Sequence, residues 1–142
     1  MTSGNKLSQH IPSTSSPAES RKRILIVDDD PDITKTFSLI LEDSGEYDVD
    51  TYNDPLVALA NFSPGYYDLI LLDVRMPKMN GFELCDKMKS VDNRAKVCFI
   101  SAHNLEDRSV MEQFPSLQIE CFLTKPIEVG ALLKALEVQL LR

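Results

Sequence analysis

Short continuous apolar runs alternate along this chain with stretches in which apolar residues return every three or four positions. Ile24-Leu25-Ile26-Val27, Leu69-Ile70-Leu71-Leu72 and Val97-Cys98-Phe99-Ile100 are too short for helices and too apolar for a half-exposed sheet. They predict strands at 24–27, 68–72 and 97–100, buried on both faces as in a parallel sheet. Weaker signals predict strands at 49–52, where Asp48, Asp50 and Asn53 suggest a sheet edge, and at 119–123. Between them lie helical patterns. Asp30-Pro31 and Asp54-Pro55 each set a capping carboxylate before a proline at the first helical position. Ile33, Phe37, Ile40 and Leu41 continue the first helix to Gly45, and Leu56, Leu59 and Ala60 the second to Ser63-Pro64-Gly65. A third helix starts near Gly81 and buries Phe82, Leu84, Cys85 and Met88. A fourth is expected over 105–114, and a fifth over 127–140 with Leu132, Leu133, Leu136 and Leu140 on one side.

Five strands alternating with five helices form a βα repeat, hence an α/β domain with a parallel sheet covered on both faces. Right-handed crossovers leave few topologies, and the doubly wound, flavodoxin-like order 2-1-3-4-5 is the common one at this size. Ligands in such sheets bind at the carboxyl ends of the strands, where the chain order reverses, here between strands one and three.

Composition narrows the class. A chain of 142 residues with 43% hydrophobic content suits one globular domain, and no apolar run reaches the length of a membrane span. A net charge of −7 argues against non-specific nucleic-acid binding. Residues 1–20 are rich in Ser and Pro and poor in apolar surface, so they read as a flexible tail ahead of a domain at 21–142. Cys85, Cys98 and Cys121 are odd in number, far apart and set in apolar patterns. They read as buried thiols, and with them a reducing, cytoplasmic location.

The strand ends carry the chemistry. Asp28-Asp29-Asp30 follows the first strand and Asp73 the third, and neighbouring strands lie about 4.8 Å apart. Unit charges about 4 Å apart repel by about 4 kcal/mol at an effective dielectric near 20, so ionised carboxylates gathered there need a cation. Mg²⁺ suits them, since it takes one or two carboxylates, keeps waters and completes its shell with phosphate oxygens. Strand four ends at Ser101, a hydroxyl donor, and strand five leads through Thr124 to Lys125-Pro126, a cation suited to a phosphoryl oxygen.

With these residues in order, the chain resembles a receiver domain of the two-component response-regulator family over roughly residues 22–142. The resemblance rests on ILIVDDD, LILLDVRMPKMNG, the Ile100-Ser101-Ala102 triplet and FLTKP. It implies that Asp73 is the phosphoacceptor and that Asp28, Asp29, Asp73 and the backbone carbonyl of Arg75 hold Mg²⁺. Ser101 would be the switch hydroxyl, Lys125 the phosphate-contacting cation and Phe122 the switch aromatic, which lacks a hydroxyl and could act only by packing. Arg75 and His103 occupy positions that tune the phosphoryl lifetime in the family. Arg75 is expected either as a solvated loop charge or as a partner of Asp28 or Asp29 that competes with Mg²⁺.

The resemblance further implies a sensor histidine kinase as donor, and a protein that acts only on itself rather than an enzyme with a separate substrate. The output is expected to be a protein partner, or a second copy, at the face of helix four, strand five and helix five. Neither direct nucleic-acid binding nor membrane insertion is expected. A relay intermediate returning phosphate to a histidine phosphotransfer protein, and a receiver excised from a longer regulator, are the alternatives. An aspartyl-phosphate phosphatase would need an aspartate where Arg75 stands, and a flavin site would not tolerate the acidic loop after strand one.

Overall fold

The computed structural model describes residues 21–102 and 104–141. The tail at 1–20 and His103 lie outside the described residues. Strand β1 spans Lys22–Val27, β2 Tyr47–Tyr52, β3 Leu69–Asp73, β4 Val97–Ser101 and β5 Phe122–Thr124. Helices α1 (Pro31–Asp43), α2 (Pro55–Ala60), α3 (Gly81–Val91), α4 (Leu105–Met111) and α5 (Val129–Leu140) alternate with them. All pairings are parallel and the order is β2-β1-β3-β4-β5, as expected.

The continuous apolar runs are buried because both faces are covered. Alternate residues Ile24, Ile26, Leu69, Leu71 and Ile100 pack with Phe37 and Leu41 of α1 and Leu132 and Leu136 of α5. Leu25, Val27, Ile70, Leu72 and Phe99 pack on the other face with Ala58 of α2 and Phe82, Leu84, Cys85 and Met88 of α3. The carboxylates of Asp30 and Asp54 accept from the amides of Asp32 and Leu56, both at 2.9 Å, which fixes where α1 and α2 begin. At α3 a reciprocal box forms, with Asn80 accepting from the Glu83 amide at 2.9 Å and Glu83 accepting from the Asn80 amide at 3.2 Å.

Three expectations need correction. Strand five is not 119–123 but Phe122–Thr124, because only Phe99, Ile100 and Ser101 offer it paired partners. Ile119 is packed against the core without joining the sheet, so its apolarity reports burial and not pairing. Helix α4 stops at Met111, and α5 begins at Val129, with Glu128 at its cap position making no side-chain cap bond. The third correction concerns the cysteines. Phe99 pairs with Phe122, so Cys98 and Cys121 lie side by side one residue earlier. Their Cα atoms are 4.5 Å apart and they form a disulfide, leaving Cys85 as the free buried thiol among the described residues. The pair is separated by 23 residues in the chain and is created by strand register, which is why its residues looked like isolated thiols. Cysteine usage therefore no longer argues for a reducing compartment. Among the described residues no helix is long and apolar enough to cross a membrane.

Candidate functional site

The carboxyl edge of the sheet gathers four chain segments. Asp73 ends β3 and is 4% exposed, while Asp28 follows β1 and is completely buried. Parallel pairing of Val27 with Leu72 sets the two side by side. Asp29 is exposed, and one carboxylate oxygen from each of Asp28, Asp29 and Asp73 lies within 4.8 Å of the others. The loop after β5 brings in Lys125 across a cis Lys125-Pro126 peptide, and its Nζ lies 3.2 Å from Asp73 and 3.4 Å from Asp28. The Lys125 amide also donates to the Ser101 carbonyl at 2.8 Å, so the loops carrying the cation and the hydroxyl are tied. The sequence expectation that Asp28, Asp29, Asp73 and Lys125 converge is met.

The electrostatics are those of a crowded pocket with too little positive charge. Burial, then repulsion from Asp28, pushes the Asp73 carboxyl from 3.8 up to about 7 against the opposing pull of Lys125. Burial also raises Asp28, although the Asp30 amide and Lys125 favour its charged form. For Lys125, burial disfavours the ammonium, but the two aspartates outweigh it and raise its pKa. Asp28 Oδ1 accepts from the Asp30 amide at 2.9 Å, whereas its buried Oδ2 receives no well-formed hydrogen bond and is answered by the Lys125 ammonium at 3.4 Å. Three hard oxygen donors within 4.8 Å of one another, two of them sharing a single ammonium, fit a hard divalent cation.

Supporting residues that the sequence did not single out hold this arrangement. The Asn53 side chain donates to the Asp28 carbonyl at 2.8 Å and to Thr34 Oγ1 at 3.0 Å, fixing the acidic loop from β2 and α1. Gly81 sits where any Cβ would collide with the Asp73 carbonyl oxygen, and its amide donates to the Val74 carbonyl at 2.8 Å. Its position directly before an apolar helical stripe was visible, but the close approach was not.

The remaining expected residues lie elsewhere. Arg75 turns away from Asp28 and Asp29; it pairs with Glu106 of α4 and lies 3.9 Å from Asp107, so the expected competition with Mg²⁺ has no geometric basis. Its guanidinium reaches across to the first turn of α4, while the carboxylates of Asp28 and Asp73 share Lys125. Ser101 is buried, and its hydroxyl donates to Asp107 at 2.6 Å. Phe122 is 39% exposed. Its ring packs on one side only, 5.9 Å from Phe99 and 6.4 Å from Phe82, because β5 is the sheet edge. Asp107, which the sequence presented as one of several helix charges, is buried. Its only sequence signal was its place three residues after Asn104, whose side chain accepts from the Asp107 amide at 2.8 Å.

The family model described as response regulator receiver domain matches residues 24–137. The chain belongs to the response-regulator receiver family. This receiver domain is 35% identical over 118 residues to the alkaline phosphatase synthesis transcriptional regulatory protein PhoP of Bacillus subtilis, covering 81% of this chain and 48% of that one. It is 30% identical over 125 residues to the chemotaxis protein CheY of Treponema pallidum, covering 86% and 85% of the two chains. Among solved structures it resembles the response regulator TrrA of Thermotoga maritima in complex with Mg²⁺ and beryllofluoride. That likeness has a TM-score of 0.70 and 29% identity, and covers 83% of this chain and 98% of that one. The receiver domain spans only 30% and 48% of the length of the first two curated regulators it matches.

Proposed function

We propose that this receiver is a phosphorylation switch in which Asp73 accepts a phosphoryl group from the phosphohistidine of a sensor kinase. The observation that carries the reading is the placement of Lys125 Nζ 3.2 Å from Asp73 and 3.4 Å from Asp28, beside a third carboxylate. An Asp73 carboxylate oxygen attacks phosphorus in line; the new O–P bond forms as the P–N bond to the donor histidine breaks, and the departing imidazole keeps the bonding electron pair. Asp28, Asp29, Asp73 and the Arg75 backbone carbonyl would hold Mg²⁺. Bound there, the ion supplies the positive charge that offsets the crowded carboxylates and the phosphoryl oxygens. Lys125, pre-positioned by the hydrogen bond that its backbone amide donates to the Ser101 carbonyl, contacts a transferring oxygen. Gly81 and Asn53 keep the nucleophile and the acidic loop from drifting.

In the acylphosphate, Ser101 donates to a phosphoryl oxygen and draws the loop after β4 inward. The readout is the face of α4, β5 and α5, where a groove of about 380 Å³ between α4 and the β4–β5 edge is lined by Ser101, Asp107, Met111, Ile119 and Phe122. A downstream protein or a second copy docks on it. The domain turns over only its own phosphoryl group. Incubation with Mg²⁺ and acetyl phosphate, followed by intact mass, tests the reading. One added phosphoryl group is expected in the parent and none in Asp73→Asn; no addition in the parent, or equal addition in both, overturns it.

A further inference from the structure

Asp107 is the third residue of α4 and 5% exposed, an unusual depth for an aspartate beginning a surface helix. Its backbone amide is held by the Asn104 side chain at 2.8 Å. Its side chain then turns back past the cap. Oδ2 accepts from the Ser101 hydroxyl at 2.6 Å and from the Ala102 amide at 2.8 Å. The first of these distances is that of a charge-assisted O–H···O⁻ bond. Oδ1 is buried, accepts no hydrogen bond and has the Arg75 guanidinium at 3.9 Å. One carboxylate thus gathers the hydroxyl at the end of β4, the first amide of the following loop and the charge two residues beyond Asp73.

Resting on the reading of Asp73 as phosphoacceptor, we propose that Asp107 is a positioning residue that holds the Ser101 hydroxyl in the unphosphorylated state and so opposes the switch. The chemistry forces a competition. Ser101 has one hydroxyl proton to donate, and here it is given to Asp107. For Ser101 to donate to a phosphoryl oxygen on Asp73, that bond must break. Asp107 then keeps a buried charge with the Ala102 amide as its remaining donor on Oδ2 and no hydrogen bond on Oδ1. A buried carboxylate that loses a donor is costly, so Asp107 must turn toward Arg75 or water. Its backbone is clamped to Asn104. The first turn of α4 therefore moves with it, which converts departure of one proton into movement of the partner-binding face. Arg75, already paired with neighbouring Glu106, is placed to receive the released carboxylate.

Beryllofluoride binding with Mg²⁺, followed by ¹H–¹⁵N spectra of the full chain, tests this through a cycle of Asp107→Ala, Ser101→Ala and the double variant. Removing the competitor should raise beryllofluoride affinity about tenfold, the worth of one hydrogen bond to a charged group. The same substitution made in Ser101→Ala should change affinity by less than about twofold, because no hydroxyl is then left to release. A general loosening of α4 would act equally in both backgrounds, so the cycle separates positioning from structural damage. Asp107→Asn keeps the volume and an acceptor for the Ala102 amide, and should fall between parent and Asp107→Ala even if the alanine variant folds poorly. Unchanged or weakened affinity in both Asp107 variants, or a gain that survives in Ser101→Ala, overturns the proposal. A parent that binds no beryllofluoride instead overturns the phosphoacceptor reading, and this proposal falls with it.

Discussion

Asp73 and Asp107 are both buried at the carboxyl edge of the sheet, 4% and 5% exposed, and the structure resolves their charges in opposite ways. Asp107 is answered by dipoles, a hydroxyl and an amide on one oxygen. Among the described residues Asp73 is answered by a single ammonium, which it shares with Asp28. The first solution is local, since Ser101, Ala102 and Asp107 lie within six residues of chain. The second unites β1, β3 and the loop after β5 and leaves the carboxyl group pushed up to about 7. A carboxylate held by dipoles on one oxygen is fixed in place by its neighbours. A carboxylate crowded against its like is one whose charge a cation would offset, and the two lie close by, Asp73 ending β3 and Asp107 bonded to the end of β4.

The contrast can be broken from the Asp73 side. Lys125→Ala removes the one cation shared by the buried pair and should slow phosphorylation by acetyl phosphate about 100-fold, by analogy with losing one charge-stabilising donor. Rates from time-resolved intact mass at saturating Mg²⁺ check this, and a change below about threefold would show that Lys125 is not a partner of the transferring group. The floor beneath Asp73 is the next target. Gly81→Ala forces a methyl into the Asp73 carbonyl and should cost about 1–3 kcal/mol in urea unfolding, as overpacking does. An unchanged midpoint would mean that α3 can shift without disturbing β3.

The charge imbalance itself predicts a pH signature. Asp73 holds its proton to about 7 when folded against 3.8 ordinarily, so between these values the folded chain binds more protons than the unfolded one. This contribution favours the metal-free fold in acid and is lost as pH rises through about 7, the sign expected for a raised carboxyl. Asp73→Asn should therefore stabilise the chelator-treated protein near neutrality, by about 1–3 kcal/mol, and less in acid. Denaturant midpoints with and without Mg²⁺ measure it; equal stability of parent and variant at neutral pH would place the crowding elsewhere. The smallest effect belongs to Arg75. Its pair with Glu106 is solvent-exposed, so Arg75→Ala should cost less than about 1 kcal/mol and leave Mg²⁺ affinity unchanged. A variant with clearly tighter Mg²⁺ binding would restore the competition with Asp28 or Asp29 that the geometry removes.

Most of the Asp73 site was legible in the sequence and most of the Asp107 site was not. Asp28, Asp29, Asp73, Ser101 and Lys125 follow apolar runs, and in a parallel sheet every strand end points to the same edge, so order along the chain was enough. Asp107 sits among Glu106 and Arg108 in a helix whose charges all look solvated. Its burial depends on how α4 docks and on a side chain that turns back toward β4, and neither has a periodic signature. Asn53 was seen only as polar punctuation after β2, although it braces the Asp28 carbonyl.

By itself the sequence determined the βα alternation, the strand order through handedness and size, and the polar arrivals at one edge, because these follow from hydrophobic period and chain direction. Only the tertiary structure decided which groups meet sideways. The register of β4 against β5 joined Cys98 to Cys121 and left Phe122 on an exposed edge. Packing of α4 paired Arg75 with Glu106 and turned the Ser101 hydroxyl to donate to Asp107. Such lateral neighbours are set by long-range packing of whole elements, and local pattern carries no record of it.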